Sequence, residues 1–257
     1  MKKIKISIAG ALGRMGKILI KKTKINKYVT LQSLTDIKVG KKINTIKIQK
    51  NSVNAFKNSD VIIDFSNPKS SIEVLKIANK LKKKVIIGTT GFNLAQEKII
   101  KNISKNIAIF KSGNMSLGIN LLEHITKILS KKIPQDYQIN ITDNHHTKKI
   151  DYPSGTALML ANAVAKGKNK KLNLLKGNIF LNKKGKIKKN KINFFVARKG
   201  KTIGEHTIEI NNGSEKIELK HVAFSRELFA DGAINAAVWI NNKKSGLFNM
   251  QDMLSLN

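Results

Sequence analysis

The chain has 257 residues, of which 41% are hydrophobic and 5% aromatic, and its formal net charge at pH 7 is +33. This length and apolar content suit one or two globular domains and exclude a disordered chain. No apolar run approaches the roughly 18 to 20 residues of a membrane span, and the lack of cysteine excludes disulfides, thiolate metal sites and a cysteine nucleophile. The N-terminus lacks the cleavage site of a secretory signal, so we expect a cytoplasmic protein.

The first 110 residues alternate between short β-rich runs and helical stretches, which predicts a parallel sheet built from βαβ units. The predicted strands are Ile4–Ala9, Val29–Leu34, Asp60–Phe65, Lys84–Ile87 and Ile107–Phe110. Helices are predicted to follow the glycine-rich turn at 10–16 and to cover Pro68–Leu81 and Leu94–Ile103. The run Asp60–Phe65 is almost continuously apolar, as expected of a strand that is covered on both faces.

The pattern changes after Ser116 and predicts a second, smaller α+β domain with a mixed sheet and helices on one face. Its predicted elements are a helix over Leu117–Leu129, a strand over Tyr137–Thr142, a helix from Ser154 or Gly155 to Ala165, and strands over Ile192–Ala197, His206–Ile210 and Glu215–Val222. Residues 166–191 are rich in Lys, Asn and Gly, which predicts a long surface segment with little core. A last helix, over Ser225–Ile240, is expected to precede a short C-terminal tail.

The turn between the first strand and the first helix predicts a nucleotide site, with the sequence Gly10-Ala11-Leu12-Gly13-Arg14-Met15-Gly16. Glycines there permit a tight turn and a close approach of the backbone to a pyrophosphate, which the helix N-terminus attracts. The spacing G-x-x-G-x-x-G differs from the usual G-x-G-x-x-G, and a turn with no ligand is the alternative interpretation. Asp36 ends the second strand, where a carboxylate can accept hydrogen bonds from a ribose.

Residues after Asp36 and after later strands bear on the cofactor. Because no arginine follows Asp36, we expect NADH to be favoured, although Arg14 and Lys38 leave NADPH open. Two loops after later strands are candidates for the nicotinamide half of the cofactor, namely Gly88-Thr89-Thr90 and Ser112-Gly113-Asn114-Met115.

The segment from Asn144 to Leu158 is the candidate catalytic segment. It places the adjacent His145 and His146 just after a predicted strand, close to Lys149 and to a helix start at Pro153-Ser154-Gly155-Thr156. An imidazole, ammonium groups and the N–H groups of a helix start suit a carboxylate substrate and a proton-delivery step. Lysine is so frequent in this chain that its presence here carries little weight, and no wider metal-ligand spacing is present, so we expect no metal site.

The same segment resembles the signature His-His-x-x-Lys-x-Asp-x-Pro-Ser-Gly-Thr-Ala of the 4-hydroxy-tetrahydrodipicolinate reductase family. Further matches follow in the same order along nearly the whole chain: Gly13 to Gly16, Asp64-Phe65-Ser66, Ile87 to Phe92, Asn114-Met115-Ser116, Gly204-Glu205-His206-Thr207, Ser225-Arg226 and Phe229-Ala230. The resemblance implies NAD(P)H-dependent reduction of 4-hydroxy-tetrahydrodipicolinate, with loss of water, in lysine and diaminopimelate biosynthesis. Some members carry arginine after the acid at position 36 or at position 67, and neither arginine is present here.

The resemblance also implies roles for individual residues. His145 would be the proton donor and acceptor and Lys149 a proton donor, while His146, Gly155 and Thr156 would bind a substrate carboxylate. The cofactor would contact Gly10 to Met15, Asp36, Gly88 to Thr90 and Ser112 to Met115. The family's architecture implies a Rossmann-type dinucleotide-binding domain (1–114 with 225–257), a substrate-binding and tetramerisation domain (115–224), and assembly as a homotetramer.

Two other classes of function remain as alternatives. The first is another Rossmann enzyme that acts on a related imino or amino acid. The second is a basic nucleic-acid-binding protein, for which the charge is the only support, and that charge is carried by lysines spread along the chain, with only three of 49 basic residues being arginine. Nucleic-acid-binding proteins use arginine and aromatic residues heavily, whereas abundant Lys, Ile and Asn fit AT-rich codons. We therefore expect a small dicarboxylate substrate, with neither a nucleic acid nor a membrane as partner.

Overall fold

The computed structural model describes residues 2–43 and 45–256, which form two compact units. The first unit contains the chain up to Met115 together with the segment from Arg226 onwards, and the second unit is Ser116–Ser225. The assignment of nucleotide binding to the first unit and substrate binding to the second stays a prediction.

The first unit contains an eight-stranded sheet in the order β13-β7-β6-β5-β1-β2-β4-β3. All neighbouring pairs are parallel except β3 and β4, which confirms the parallel sheet predicted from the sequence. The strands are β1 (Ile4–Ala9), β2 (Val29–Thr35), β3 (Lys42–Ile43), β4 (Ile46–Gln49), β5 (Val61–Asp64), β6 (Lys84–Ile87), β7 (Ala108–Lys111) and β13 (Gly246–Phe248).

Helices cover both faces of this sheet. Two apolar clusters fill the two faces, one containing Ile8 with Ile234 and the other Ile62 with Leu75. The side chain of Asn93 caps α4 by accepting the N–H of Gln96, which stabilises a helix start by about 1 kcal/mol. The helices are α1 (Arg14–Ile25), α2 (Val53–Phe56), α3 (Pro68–Leu81), α4 (Leu94–Ile103), α8 (Glu227–Ile240) and α9 (Met250–Met253).

The second unit contains a five-stranded mixed sheet in the order β12-β11-β8-β10-β9, as the sequence predicted. Its strands are β8 (Gln138–His145), β9 (Lys176–Leu181), β10 (Ile192–Arg198), β11 (Gly204–Asn211) and β12 (Lys216–Ala223). Alternate residues of β8 and β11 are buried, and the apolar ones pack against the helices α5 (Leu117–Lys132) and α6 (Gly155–Gly167). The short helix α7 (Leu172–Leu175) precedes β9.

Three sequence predictions were wrong in detail. Residues 166–191 are not a featureless surface segment, because they include α7 and β9, and Phe180 of β9 is buried and stacks on Phe195. The C-terminal segment is not a simple tail, because β13 adds a strand to β7. The strand predicted to end at Thr142 continues to His145, so His145 is the last residue of β8 and does not follow it.

Candidate active site

The turn after β1 has the geometry that a phosphate-binding turn requires. Gly10 has φ +79°, and a Cβ there would lie 2.5 Å from the carbonyl oxygen of Phe65. A Cβ on Gly16 would lie 2.2 Å from the carbonyl oxygen of Gly10. Both contacts are with backbone atoms, so glycine is needed for the turn and the start of α1 to pack this closely.

A cavity of about 750 Å³ opens beside this turn, within the size range of cofactor sites. It lies where the strand order reverses between β1 and β5, at the carboxyl ends of the strands, which is where open α/β sheets bind ligands. Of the residues predicted to bind cofactor, Gly10, Leu12, Gly13 and Asp36 line it; the structure adds Ile37, Lys38, Lys50, Asn51, Phe65, Ser66, Asn67, Lys69, Ser70 and Glu73.

The carboxylate of Asp36 connects the end of β2 to the glycine-rich turn. Its Oδ2 accepts the N–H of Leu12 at 2.9 Å, and its Oδ1 accepts the N–H of Ile37 at 2.8 Å. A carboxylate has about four acceptor positions, so these bonds leave capacity for a ribose hydroxyl. Asp36 therefore supports the shape of the turn and can also take the ligand contact predicted for it.

The other residues predicted to contact cofactor lie outside the lining of this cavity. Thr89 is buried, and its hydroxyl donates to Asp64 and accepts the N–H of Ser66. The side chain of Met115 is also buried, so only its backbone is available to a ligand. The rest are the buried Ala11, the exposed Arg14, the half-buried Met15, and the loop residues Gly88, Thr90, Ser112, Gly113 and Asn114.

In the second unit, His145 lies against a buried carboxylate. Its Nδ1 is 2.9 Å from Oδ1 of Asp143, two residues earlier on the same face of β8. Nε2 of His206, on the neighbouring β11, is 3.4 Å from the same oxygen, and the two imidazoles meet edge to face with ring centroids 5.1 Å apart. The other oxygen, Oδ2, accepts hydrogen bonds from Arg198 at 3.0 Å and from the N–H of Ser154 at 2.7 Å.

These contacts keep Asp143 ionised in a site where burial alone would protonate it. Burial raises the pKa of Asp143, but the close approach of His145 and His206 and the hydrogen bond from the N–H of Ser154 outweigh it and hold the pKa far below its usual range. The opposite effect acts on His206, because burial lowers its pKa more than Asp143 raises it. His206 therefore favours its neutral form.

Lys149 lies in the turn that follows β8, where its N–H donates to the carbonyl of His146. Its ammonium group is 2.8 Å from each carboxylate oxygen of Asp151. Burial raises the pKa of Asp151, but the hydrogen bond and the charge of Lys149 outweigh burial and lower it. His146 is half-buried, and its backbone N–H donates to Thr202.

The predicted carboxylate-binding residues Gly155 and Thr156 open α6, and the exposed Gly155 has no neighbouring atom that a Cβ would meet within 4 Å. The hydroxyl of Ser154 caps the helix by accepting the N–H of Ala157. The N–H groups of this helix start were expected to suit a substrate carboxylate, but the N–H of Ser154 donates to Asp143.

Sequence reasoning missed the parts played by Asp143, Arg198 and His206. Ligand atoms of Asp143, His145 and His206 lie within 4.8 Å of one another, close enough to suggest a metal-ion site. The guanidinium of Arg198 already bonds this carboxylate, which disfavours a second cation; the expectation of no metal site stays a prediction. His206 lies in the matched run Gly204 to Thr207, which was the one available signal for it.

Comparison with known proteins covers both units. Two family models match, dihydrodipicolinate reductase, N-terminus, over residues 4–115, and dihydrodipicolinate reductase, C-terminus, over residues 118–254. The chain belongs to the dihydrodipicolinate reductase family. The resemblance stated from the sequence is thereby confirmed.

Named relatives of this family agree over the full length. A 4-hydroxy-tetrahydrodipicolinate reductase of Pelagibacter ubique (strain HTCC1062) is 52% identical over 256 residues, which is 99% of each chain. The enzyme of the same name from Buchnera aphidicola subsp. Cinara cedri is 47% identical and covers 98% of this chain and 97% of its own.

Solved structures show the same fold. Dipicolinate-bound dihydrodipicolinate reductase from Paenisporosarcina sp. TG-14 superposes with a TM-score of 0.79 at 19% identity, over 98% of this chain and 99% of that one. Aspartate dehydrogenase from Thermotoga maritima superposes with a TM-score of 0.53 at 12% identity, over 94% of this chain and 98% of that one.

None of the helices in the described part of the chain combines the length and apolar character needed to cross a membrane.

Proposed function

We propose that this chain catalyses the NAD(P)H-dependent reduction of 4-hydroxy-tetrahydrodipicolinate to tetrahydrodipicolinate, with loss of water, as a cytoplasmic step of lysine and diaminopimelate biosynthesis. The observation that carries the proposal is the match of both units to one reductase family, together with relatives of that name at up to 52% identity over the whole chain. The site residues of the family signature are all present, from His145 to Thr156.

A nicotinamide cofactor, when bound, supplies the hydride. The glycine-rich turn, the N-terminus of α1 and the cavity beside them fit its pyrophosphate and adenosine, and Asp36 has acceptor capacity for the ribose. We favour NADH because no arginine follows Asp36. Three lysines line the cavity, Lys38, Lys50 and Lys69, so we expect NADPH to be used as well.

The proposed proton donor is His145, with Lys149 as a second proton donor and with His146, Gly155 and Thr156 as carboxylate contacts. Arrival of hydride leaves electron density on the conjugated substrate, and a protonated side chain is needed to neutralise it. General acids of this kind contribute about 10²- to 10⁴-fold to the rate. The exposed start of α6 and the ammonium group of Lys149 in the preceding turn favour a substrate that carries two carboxylates.

The test is the oxidation of NADH and of NADPH in the presence of freshly generated substrate. We expect His145→Gln and Lys149→Ala each to lower kcat by about 10²- to 10⁴-fold, with NADH binding and the circular dichroism spectrum unchanged. Lys148→Ala is the matched control, because Lys148 is an exposed neighbour with no assigned role. Near-normal turnover in either site variant would refute the assigned roles, and turnover of simple imino acids but not of the dipicolinate precursor would favour a related dehydrogenase.

We further propose that the enzyme is a homotetramer assembled through the second unit. The face of its sheet that lies away from α5 and α6 carries polar, half-exposed side chains in regular alternation, among them Gln138, Asn140 and Thr142 of β8. A sheet face of this kind can pair with the same face of another copy. Sedimentation equilibrium tests it, and a monomer at micromolar concentration would contradict it.

A further inference from the structure

The proposed chemistry assigns no part to the buried carboxylate of Asp143. Charged or titratable side chains from three strands nevertheless lie close to it. Asp143 is 0% exposed. His145 on β8, Arg198 on β10 and His206 on β11 all lie within 3.4 Å of its oxygens. A buried charge is costly unless it is paired, so this grouping needs a physical reason.

The two oxygens of Asp143 have different partners. Oδ2 is bonded by Arg198, which is permanently charged, and by the N–H of Ser154 at the start of α6. These two bonds fix the plane of the carboxylate and stabilise its negative charge. Oδ1 then faces the two imidazoles, and a positive charge on His145 disfavours protonation of His206.

The surroundings decide which imidazole carries that proton. His206 is buried, its Nε2 lies 3.1 Å from the hydroxyl of Ser154, and burial lowers its pKa. Lys149 adds a second positive charge that disfavours protonated His206, and the neighbouring His221 on β12 is itself held toward the neutral form by burial, which lowers its pKa. His206 and His221 therefore both favour their neutral forms.

The other edge of His145 is kept clear by a glycine. A Cβ on Gly204, the first residue of β11, would lie 3.2 Å from Nε2 of His145. A side chain at this position would crowd the nitrogen that faces away from Asp143. The imidazole is thus held on its Nδ1 side and left uncrowded at Nε2, which is the arrangement of a histidine that exchanges a proton through Nε2.

We propose that Asp143 is a positioning residue for His145: its Oδ1, 2.9 Å from Nδ1, holds the imidazole with a proton on Nδ1 and so keeps Nε2–H directed to the substrate, while His206 stays neutral. This inference rests on the proposed function. In the step itself, the Nε2–H bond of His145 breaks, the proton passes to the reduced substrate, and neutral His145 regains a proton from solvent while Nδ1–H is retained.

The kinetic test is the pH profile of Asp143→Asn, with Asp143→Glu and His206→Asn alongside. Since His145 acts in its protonated form, kcat/KM falls as pH rises, and loss of the Asp143 charge should change the position of that fall. We expect kcat to drop at least about tenfold while NADH binding is unchanged. Asp143→Glu should restore the position of the fall, and His206→Asn should leave it in place.

Two outcomes overturn the proposal. If Asp143→Asn lowers kcat without moving the pH profile, Asp143 is a structural residue only. If His206→Asn moves the pH profile as far as Asp143→Asn does, His206 shares the proton with His145.

A second measurement needs neither activity nor a folded Asp143→Asn variant. In nitrogen-15 spectra of the wild-type protein, His145 should show a slowly exchanging Nδ1–H resonance, assigned by its loss in His145→Gln; a His145 protonated only at Nε2 contradicts the inference. Because this readout does not use the substrate, it separates failure of the Asp143 inference from failure of the proposed function, which would appear as a wild-type protein that does not oxidise NADH with the dipicolinate precursor.

Discussion

Replacement of Gly16 by alanine is a direct test of the close packing at the nucleotide site. The new Cβ would lie 2.2 Å from the carbonyl oxygen of Gly10 and 2.7 Å from Cα of Ala11, whereas real Cβ contacts essentially never fall below 3.0 Å. Backbone atoms cannot rotate away, so the turn must move from the start of α1 by close to 1 Å. Overpacking of this kind costs about 1 to 3 kcal/mol.

The expected result for Gly16→Ala is a lower thermal midpoint and a weaker affinity for NADH. If this strain raises the free energy of the conformation of the turn that binds NADH, about 1 to 3 kcal/mol corresponds to a roughly 5- to 150-fold rise in the Kd for NADH. Titration by NADH fluorescence measures the affinity, and the single tryptophan, Trp239, reports unfolding of the first unit. Gly13→Ala is the graded control, because its Cβ would lie 3.2 Å from the same oxygen. Wild-type affinity and stability in Gly16→Ala would refute the close-packing argument.

Three further predictions follow from the described contacts. Asp36→Ala removes the acceptor that holds the glycine-rich turn, so the Kd for NADH should rise about tenfold or more in the same titration, with kcat less affected. His206 has a lowered folded-state pKa, so it makes stability fall as pH drops below about 6.5; melting curves of His206→Asn between pH 7.5 and 5 should show a shallower fall, and an unchanged slope would contradict this. Arg198→Lys should destabilise the second unit by about 1 to 3 kcal/mol in urea unfolding, although it conserves charge.

The sequence predicted best those elements whose apolar pattern is set by local burial. The strands Ile4–Ala9 and Lys84–Ile87 and the helix Leu94–Ile103 have the predicted bounds, because short runs rich in isoleucine and valine mark buried strands and Asn93 caps its helix. The strands that the sequence analysis did not predict depend on pairing with a neighbouring strand. β13 has three residues and exists through its pairing with β7, and the edge strand β9 is surrounded by lysines.

The end of β8 shows why the site was harder to predict than the fold. Its buried positions are Ile139, Ile141, Asp143 and His145, so the alternation continues while the chemistry changes from apolar to polar. A prediction based on apolar periodicity stops at Thr142, because a buried acid with distant partners resembles a loop residue in sequence. The partners of Asp143 come from β10, β11 and the start of α6, and their distance along the chain conceals the grouping.

Arg198 is a buried cation of the candidate site, unlike the exposed lysines that supply most of the net charge of +33. Exposed lysines are screened by salt over about 8 Å, whereas the side chain of Arg198 is only 7% exposed. Its two terminal nitrogens donate four hydrogen bonds, to the carbonyls of Asp143, Ala197 and Asp151 and to the Asp143 carboxylate. A lysine carries the same charge but presents its donors from one point and cannot span these acceptors. Lysine supplies nearly all the positive charge of this chain, so the requirement for arginine at this position is one of geometry. Arg198 acts on His145 through the carboxylate of Asp143, which lies against the imidazole.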